Sequence, residues 1–145
     1  MQNLPHHYVV TATAAAEGDV ELTSPGLRGL ESAPPAEFGG PGDRWSPETL
    51  LCAALADCFI LTFKAIARAS KMDWLSLTCN VDGNLDRIDR TTQFTDFSLH
   101  AVLEVPQGTD ESKAMRLLEK SEHACLITNS LKSETKLDAI VRFPE

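Results

Sequence analysis

The residues best placed to do chemistry are four cysteines, Cys52, Cys58, Cys79 and Cys125. They are too few and too scattered for a disulfide scaffold, and no pair has the CxxC spacing of a zinc or thioredoxin-like site. Within one helix, Cys52 and Cys58 would stand about 9 Å apart along the axis, beyond the roughly 4.4–6.8 Å that a disulfide spans. His6, His7, His100 and His123 are equally dispersed and offer no metal-ligand spacing. Cys58 lies between Asp57 and Phe59 in an otherwise inert stretch, and Cys125 lies at a helix boundary where backbone amides are free. Brought together by folding, they have the design of a peroxidatic and a resolving thiol. One thiolate attacks an O–O bond and becomes a sulfenic acid, with which the other condenses to a disulfide. Kept apart, each is a small core hydrophobe, and a buried thiol needs a positive partner before it reacts.

The element that must position Cys58 is the stretch from Trp45 to Ser70. Ser46 can cap free amides, Pro47 fits the first helical position, and Glu48 suits the positive end of the helix dipole. From Leu50 to Phe63 only Asp57 and Thr62 interrupt an apolar or small run, which predicts a central, buried helix. The run is too short and too interrupted to span a bilayer, which takes about 20 predominantly apolar residues.

The flanking segments predict strands. Tyr8 to Ala16, Val20 to Thr23 and Leu27 to Glu31 read as a small antiparallel meander. Residues 32–44 form a Pro/Gly-rich loop that carries Glu37, Phe38 and Arg44 toward the helix start. Leu75, Leu77, Cys79 and Val81 alternate with polar residues, as do Phe97, Leu99, Ala101, Leu103 and Val105, with His100 in the polar row. Asp82 to Arg90 reads as a polar hairpin region. Thr109-Asp110-Glu111 caps a second helix carrying Ala114, Leu117, Leu118 and Ser121 inward to about Ala124. Cys125 then opens a break and a short helical turn, and Leu137 to Phe143 alternate as a final strand. The order describes one α+β domain over residues 1–145.

The chain has 145 residues, 43% of them hydrophobic, and a formal charge of −8. An acidic chain without a basic run argues against nucleic acid or an anionic membrane as partner. No charged segment followed by an apolar one opens the chain, so the expected location is cytoplasmic.

Two segments resemble a known family. SPETLLCAALADCF is similar to the first signature of the osmotically inducible protein C and organic hydroperoxide resistance (OsmC/Ohr) superfamily. HACLITNSL is similar to its second motif, with Leu126 and Thr128 where proline and serine are usual. The resemblance implies antiparallel sheets wrapped around a long buried central helix in an intertwined homodimer, with active sites at the subunit interface. It also implies reduction of organic hydroperoxides by thiols, without metal, flavin or other cofactor. Cys58 would be the peroxidatic thiol, Cys125 the resolving thiol, and Glu48 the carboxylate holding a catalytic arginine. The family's arginine belongs to the first strand turn, where this chain has Ala15-Ala16-Glu17-Gly18-Asp19, so Arg44, or else Arg28, is the available substitute.

The expected partners are a second copy, an organic hydroperoxide and an external dithiol reductant whose identity the sequence does not show. A rival expectation is a catalytically weak dimer of the same fold that binds a small apolar or acyl ligand. A third is a purely structural dimer with inert cysteines. For Glu48, a first-turn acid complementing the dipole is the simpler role, and for His123 a helix-end histidine is. Phe38, Phe59 and Phe63 either line an alkyl pocket or pack a core.

Overall fold

In the computed structural model, which describes residues 1–145, the alternating segments of the second half pair as their apolar rows require. The chain divides into two compact units, Met1–Leu50 and Leu51–Glu145.

In the larger unit, β4 (Ser76–Ile88) and β5 (Thr91–Glu104) form a long antiparallel hairpin, and β6 (Glu134–Arg142) pairs with β5 in parallel. Register places Leu77 opposite Leu103, Cys79 opposite Ala101 and Val81 opposite Leu99, so the apolar rows share one face. Leu137, Ala139 and Val141 extend those rows across β6. As the middle strand, β5 is the most deeply covered, with Phe97, Leu99, Ala101 and Leu103, and Val105 just after it, at most 1% exposed. Each such large side chain contributes about 1.5–3 kcal/mol by leaving water. The other face carries Asn80, His100 and Asp138 across the same register. His100 lies 3.6 Å from Asp138 on that exposed side.

Two details differ from the sequence expectation. Asp82 to Arg90 is not a broad hairpin region, because both strands run through it and the turn is confined to Asp89 and Arg90. These two residues adopt positive φ of 50° and 69°, the pattern of a two-residue turn whose twist matches the strands. The sheet is also mixed rather than antiparallel throughout. A helical crossover between β5 and β6 permits the parallel pairing that a short turn forbids.

Helix α1 (Pro47–Ala69) begins in the smaller unit and runs on into the larger. Its start is a reciprocal cap: the Thr49 amide donates to Ser46 Oγ at 3.1 Å, and the Ser46 amide donates to Thr49 Oγ1 at 2.9 Å. In the larger unit, Leu55, Phe59, Phe63 and Ala67, spaced by four residues, are fully buried against the sheet. The expectation of a buried helix therefore holds along one stripe only. Leu61 on another face is 57% exposed. The length argument against a membrane span also fails: the helix has 23 residues and is apolar enough by length and composition to cross a bilayer. Its buried stripe on the sheet is the arrangement of a core helix.

Helix α2 (Glu111–Ala124) is capped by the Asp110 side chain and buries Ala114, Leu117, Leu118 and Ser121 as its periodicity predicts. A single turn, α3 (Leu126–Asn129), follows at once.

In the smaller unit, β1 (Thr11–Thr13), β2 (Val20–Thr23) and β3 (Leu30–Ser32) form an antiparallel meander in sequence order. The first strand pairs over three residues, shorter than the Tyr8 to Ala16 expected. Tyr8, Val9 and Val10 lie outside it, 87%, 66% and 66% exposed. A 3₁₀ turn at Ala36–Phe38 is the only helix in the loop before α1.

Candidate active site

Folding brings Cys58 and Cys125 close enough for each thiol to shift the other's pKa. Cys58 sits one position before Phe59 of the buried stripe, which turns its sulfur toward the uncovered flank of α1. Cys125 reaches it from the junction of α2 and α3, where one residue ends the first helix and starts the second. Between α1 and α3 lies a shallow depression of about 520 Å³ with Cys58 in its floor. Ala54, Leu61, Ala65 and Ile127 give it an apolar wall, and Asp57 and Thr62 supply its polar side chains.

The two thiols have opposite characters. Burial is the largest single influence on Cys58 and pushes its pKa up, but it is outweighed by donors that favour the thiolate. These are the backbone N–H groups of Ile127 and Leu126, the Cys125 thiol and the Thr62 hydroxyl, and the net pKa is lowered. Thr62 Oγ1 stands 3.9 Å from Cys58 Sγ, one helical turn along α1. Cys125 is fully buried, and its pKa is raised first by that burial and then by its hydrogen bond and proximity to Cys58. The Thr128 amide acts in the opposite sense on Cys125 without reversing the shift, and the buried Thr128 hydroxyl has no hydrogen-bond partner. The pair is thus shifted in opposite directions, Cys58 toward the thiolate and Cys125 toward the thiol.

The remaining cysteines are packing residues. Burial pushes the Cys79 thiol up to about 11, with proximity to Cys125 adding to the effect. Cys52 is also raised, chiefly by burial, and its sulfur packs over Gly83, where an added Cβ would come within 2.9 Å of it.

Thr62, Thr128 and the two α3 amides were not singled out from sequence as site groups. Thr62 did leave a signal, as one of two polar residues in an apolar run. Backbone donors leave none. Phe59 and Phe63 are fully buried and belong to the core, Phe63 packing edge-on to Trp74 at a centroid distance of 5.5 Å. His123 is 84% exposed and lies 3.9 Å from Glu122.

In the smaller unit, Arg44 is engaged by carboxylates, at 2.9 Å from Asp19, 3.5 Å from Glu31 and 3.4 Å from Asp43. It forms no ion pair with Glu48. Glu48 Oε1 is buried without a hydrogen-bond partner. It borders a pocket of about 330 Å³ walled by Pro34, Pro35, Phe38 and Pro47.

Comparison with known proteins follows the same lines. Residues 40–139 match the family model described as OsmC-like protein. Peroxiredoxin OsmC of Escherichia coli (strain K12) is 29% identical over 93 residues, 64% of each chain, so the match spans under two thirds of that relative. The organic hydroperoxide resistance protein of Xanthomonas axonopodis pv. citri (strain 306) is 28% identical over 122 residues, 84% of each chain. The structure of an OsmC-like protein of unknown function from Vibrio cholerae superposes with a TM-score of 0.85 at 19% identity, covering 94% of this chain and 100% of that one. At that identity the likeness establishes the fold. With two thirds of its length under the family model and an OsmC-like architecture throughout, this chain belongs to the OsmC-like protein family.

Proposed function

We propose that the chain is a thiol-dependent peroxidase that reduces organic hydroperoxides through a Cys58–Cys125 disulfide cycle. The observation that carries this reading is the polarised thiol pair at the floor of an apolar depression. The names of the Escherichia coli and Xanthomonas relatives support a peroxide-related role.

In the cycle, the Cys58 thiolate attacks one peroxide oxygen, an S–O bond forms, and the O–O bond breaks to release an alcohol after protonation. The Cys125 sulfur then attacks the sulfenic acid at Cys58, forming the disulfide and expelling water. Conversion of Cys58 to a neutral sulfenic acid removes the negative neighbour that raises Cys125, so oxidation itself eases the second step. An external dithiol returns both sulfurs to thiols by two exchanges. The apolar wall favours alkyl over hydrogen peroxide at about 0.8 kcal/mol per buried methylene. All four cysteines are free, which fits the reducing cytoplasm in which we place the protein.

The proposal includes a homodimer. It would cover the exposed flank of α1 around Leu61 and the uncovered apolar run Tyr8 to Val10. In this reading Glu48 holds the catalytic arginine, with Arg44 the available candidate, at active sites on the subunit interface. The orphaned Glu48 oxygen is where an arginine guanidinium would dock.

Cys125→Ser tests the cycle. With cumene hydroperoxide it should accumulate a Cys58 sulfenic acid trapped by dimedone, whereas the unmodified chain should form a disulfide. Absence of the adduct would contradict the peroxidase reading. A second reading, a weak dimer holding a small apolar or acyl ligand, is favoured by the engagement of Arg44 with Asp19, Glu31 and Asp43. It predicts slow cysteines and saturable ligand binding.

A further inference from the structure

The main chain holds Cys125 weakly. Its N–H meets the Glu122 C=O at 3.4 Å, and the backbone leaves helical geometry there at ψ 113°. The chain rejoins the sheet ladder at β6, where Thr135 comes into register with Phe97 of β5. Between these points runs the segment that carries Cys125 and α3 and walls the depression at Leu126 and Ile127. Its two ends are joined by side chains: Thr135 Oγ1 donates to Glu122 Oε1 at 2.6 Å in a half-buried position. Glu122 follows Ala114 and Leu118 at intervals of four along the buried stripe of α2. Thr135 stands in line with Leu137, Ala139 and Val141 on the covered row of β6. The bond therefore spans helix and sheet.

Helix stability does not account for a carboxylate at Glu122. The last turn of α2 is the negative end of the dipole, where a cation is favoured. The Glu122 side chain is only 14% exposed, and the His123 ring 3.9 Å away is itself 84% exposed. What the carboxylate gains is a charge-assisted hydrogen bond, roughly twice as strong as a neutral one. Resting on the reading of Cys125 as the resolving thiol, we infer that Glu122 and Thr135 are positioning residues whose hydrogen bond clasps this segment and keeps the Cys125 sulfur within reach of Cys58. Ser133 fastens the far end separately, its hydroxyl donating to the Phe94 C=O at 2.8 Å. A held pair of thiols closes a disulfide at lower entropic cost than a loose one.

Thr135→Val removes the hydroxyl at nearly constant volume, and Thr135→Ser keeps it. Two readouts on the full chain separate a clasp from a general loss of stability. The first is iodoacetamide alkylation of Cys125 at a fixed alkaline pH, in a Cys58→Ser background so that no adduct at Cys58 opens the site. Cys125 is fully buried, so its alkylation reports local opening of the segment. Cys52, on α1 over Gly83, lies outside the segment and is the internal reference. Thr135→Val should speed alkylation of Cys125 about tenfold and leave Cys52 unchanged, and Thr135→Ser should match the parent. An unchanged Cys125, or an equal rise at Cys52, overturns the inference. The second readout is equilibrium with reduced and oxidised glutathione, in which each Cys58–Cys125 disulfide formed releases two glutathione thiols. Thr135→Val should lower that equilibrium constant about tenfold and Thr135→Ser should restore it, and equal constants are contrary. If Thr135→Val misfolds, Glu122→Gln decides: a neutral acceptor of the same shape should speed Cys125 alkylation about threefold, and no change is contrary. Failure of the unmodified chain to form the disulfide with glutathione would fall on the peroxidase reading, while the alkylation arm still decides the clasp.

Discussion

Cys58 and Cys125 are neighbours, and the interaction between their sulfurs works in opposite directions on the two. It lowers Cys58 by favouring its thiolate and raises Cys125 by engaging its proton.

The pH dependence follows from the signs. Cys58 is lowered from the ordinary 9.0, so its alkylation rate should climb through a midpoint below that value and level off. Cys125 is raised, and Cys79 lies near 11, so both should remain unalkylated at neutral pH. Thr62→Val removes the hydroxyl donor and should move the Cys58 midpoint upward. Peptide-resolved alkylation from pH 5 to 10 checks all three, and a Cys58 midpoint at or above 9.0 would refute the assignment.

Leu61→Glu addresses the dimer. A charge on the uncovered flank of α1 should convert the protein from dimer to monomer in sedimentation velocity while its circular dichroism is unchanged. A wild-type chain already monomeric at tens of micromolar would remove the dimer from the account.

Gly83 tests the packing of β4 on α1. A Cβ there would come within 2.9 Å of Cys52 Sγ and of a Phe97 ring carbon, and 3.0 Å of a Phe94 ring carbon. Phe94 and Phe97 are stacked at 4.9 Å and cannot both give way. Gly83→Ala should cost about 1–3 kcal/mol in chemical denaturation, and full stability would show that the sheet has slack.

Much of this architecture is legible in the chain because burial leaves a period. The four inward residues of β5 and the four of α2 can be read off directly, since each alternation has a single packing solution. Cys58 and Cys125 are legible as a pair only through the family motif, because they stand 67 positions apart. The parallel pairing of β6 leaves no local mark. The narrow turn at Asp89-Arg90 was hidden because polar residues on the open face of β4 resemble a loop. Donors at α3 were hidden for a different reason: a backbone N–H has no letter, and Leu126 stands in the sequence only as a departure from the usual proline. Burial of α1 was overestimated from an apolar run that serves the core on one flank and remains open on another.

The most direct measurement mixes the fully reduced protein rapidly with cumene hydroperoxide and, separately, with hydrogen peroxide, following thiol loss and mapping the product by peptide mass spectrometry. The account predicts fast, alkyl-selective formation of a Cys58–Cys125 disulfide that Cys58→Ser abolishes. Cys58 still reduced after many minutes with both peroxides, or oxidised only to irreversible acids, would contradict it.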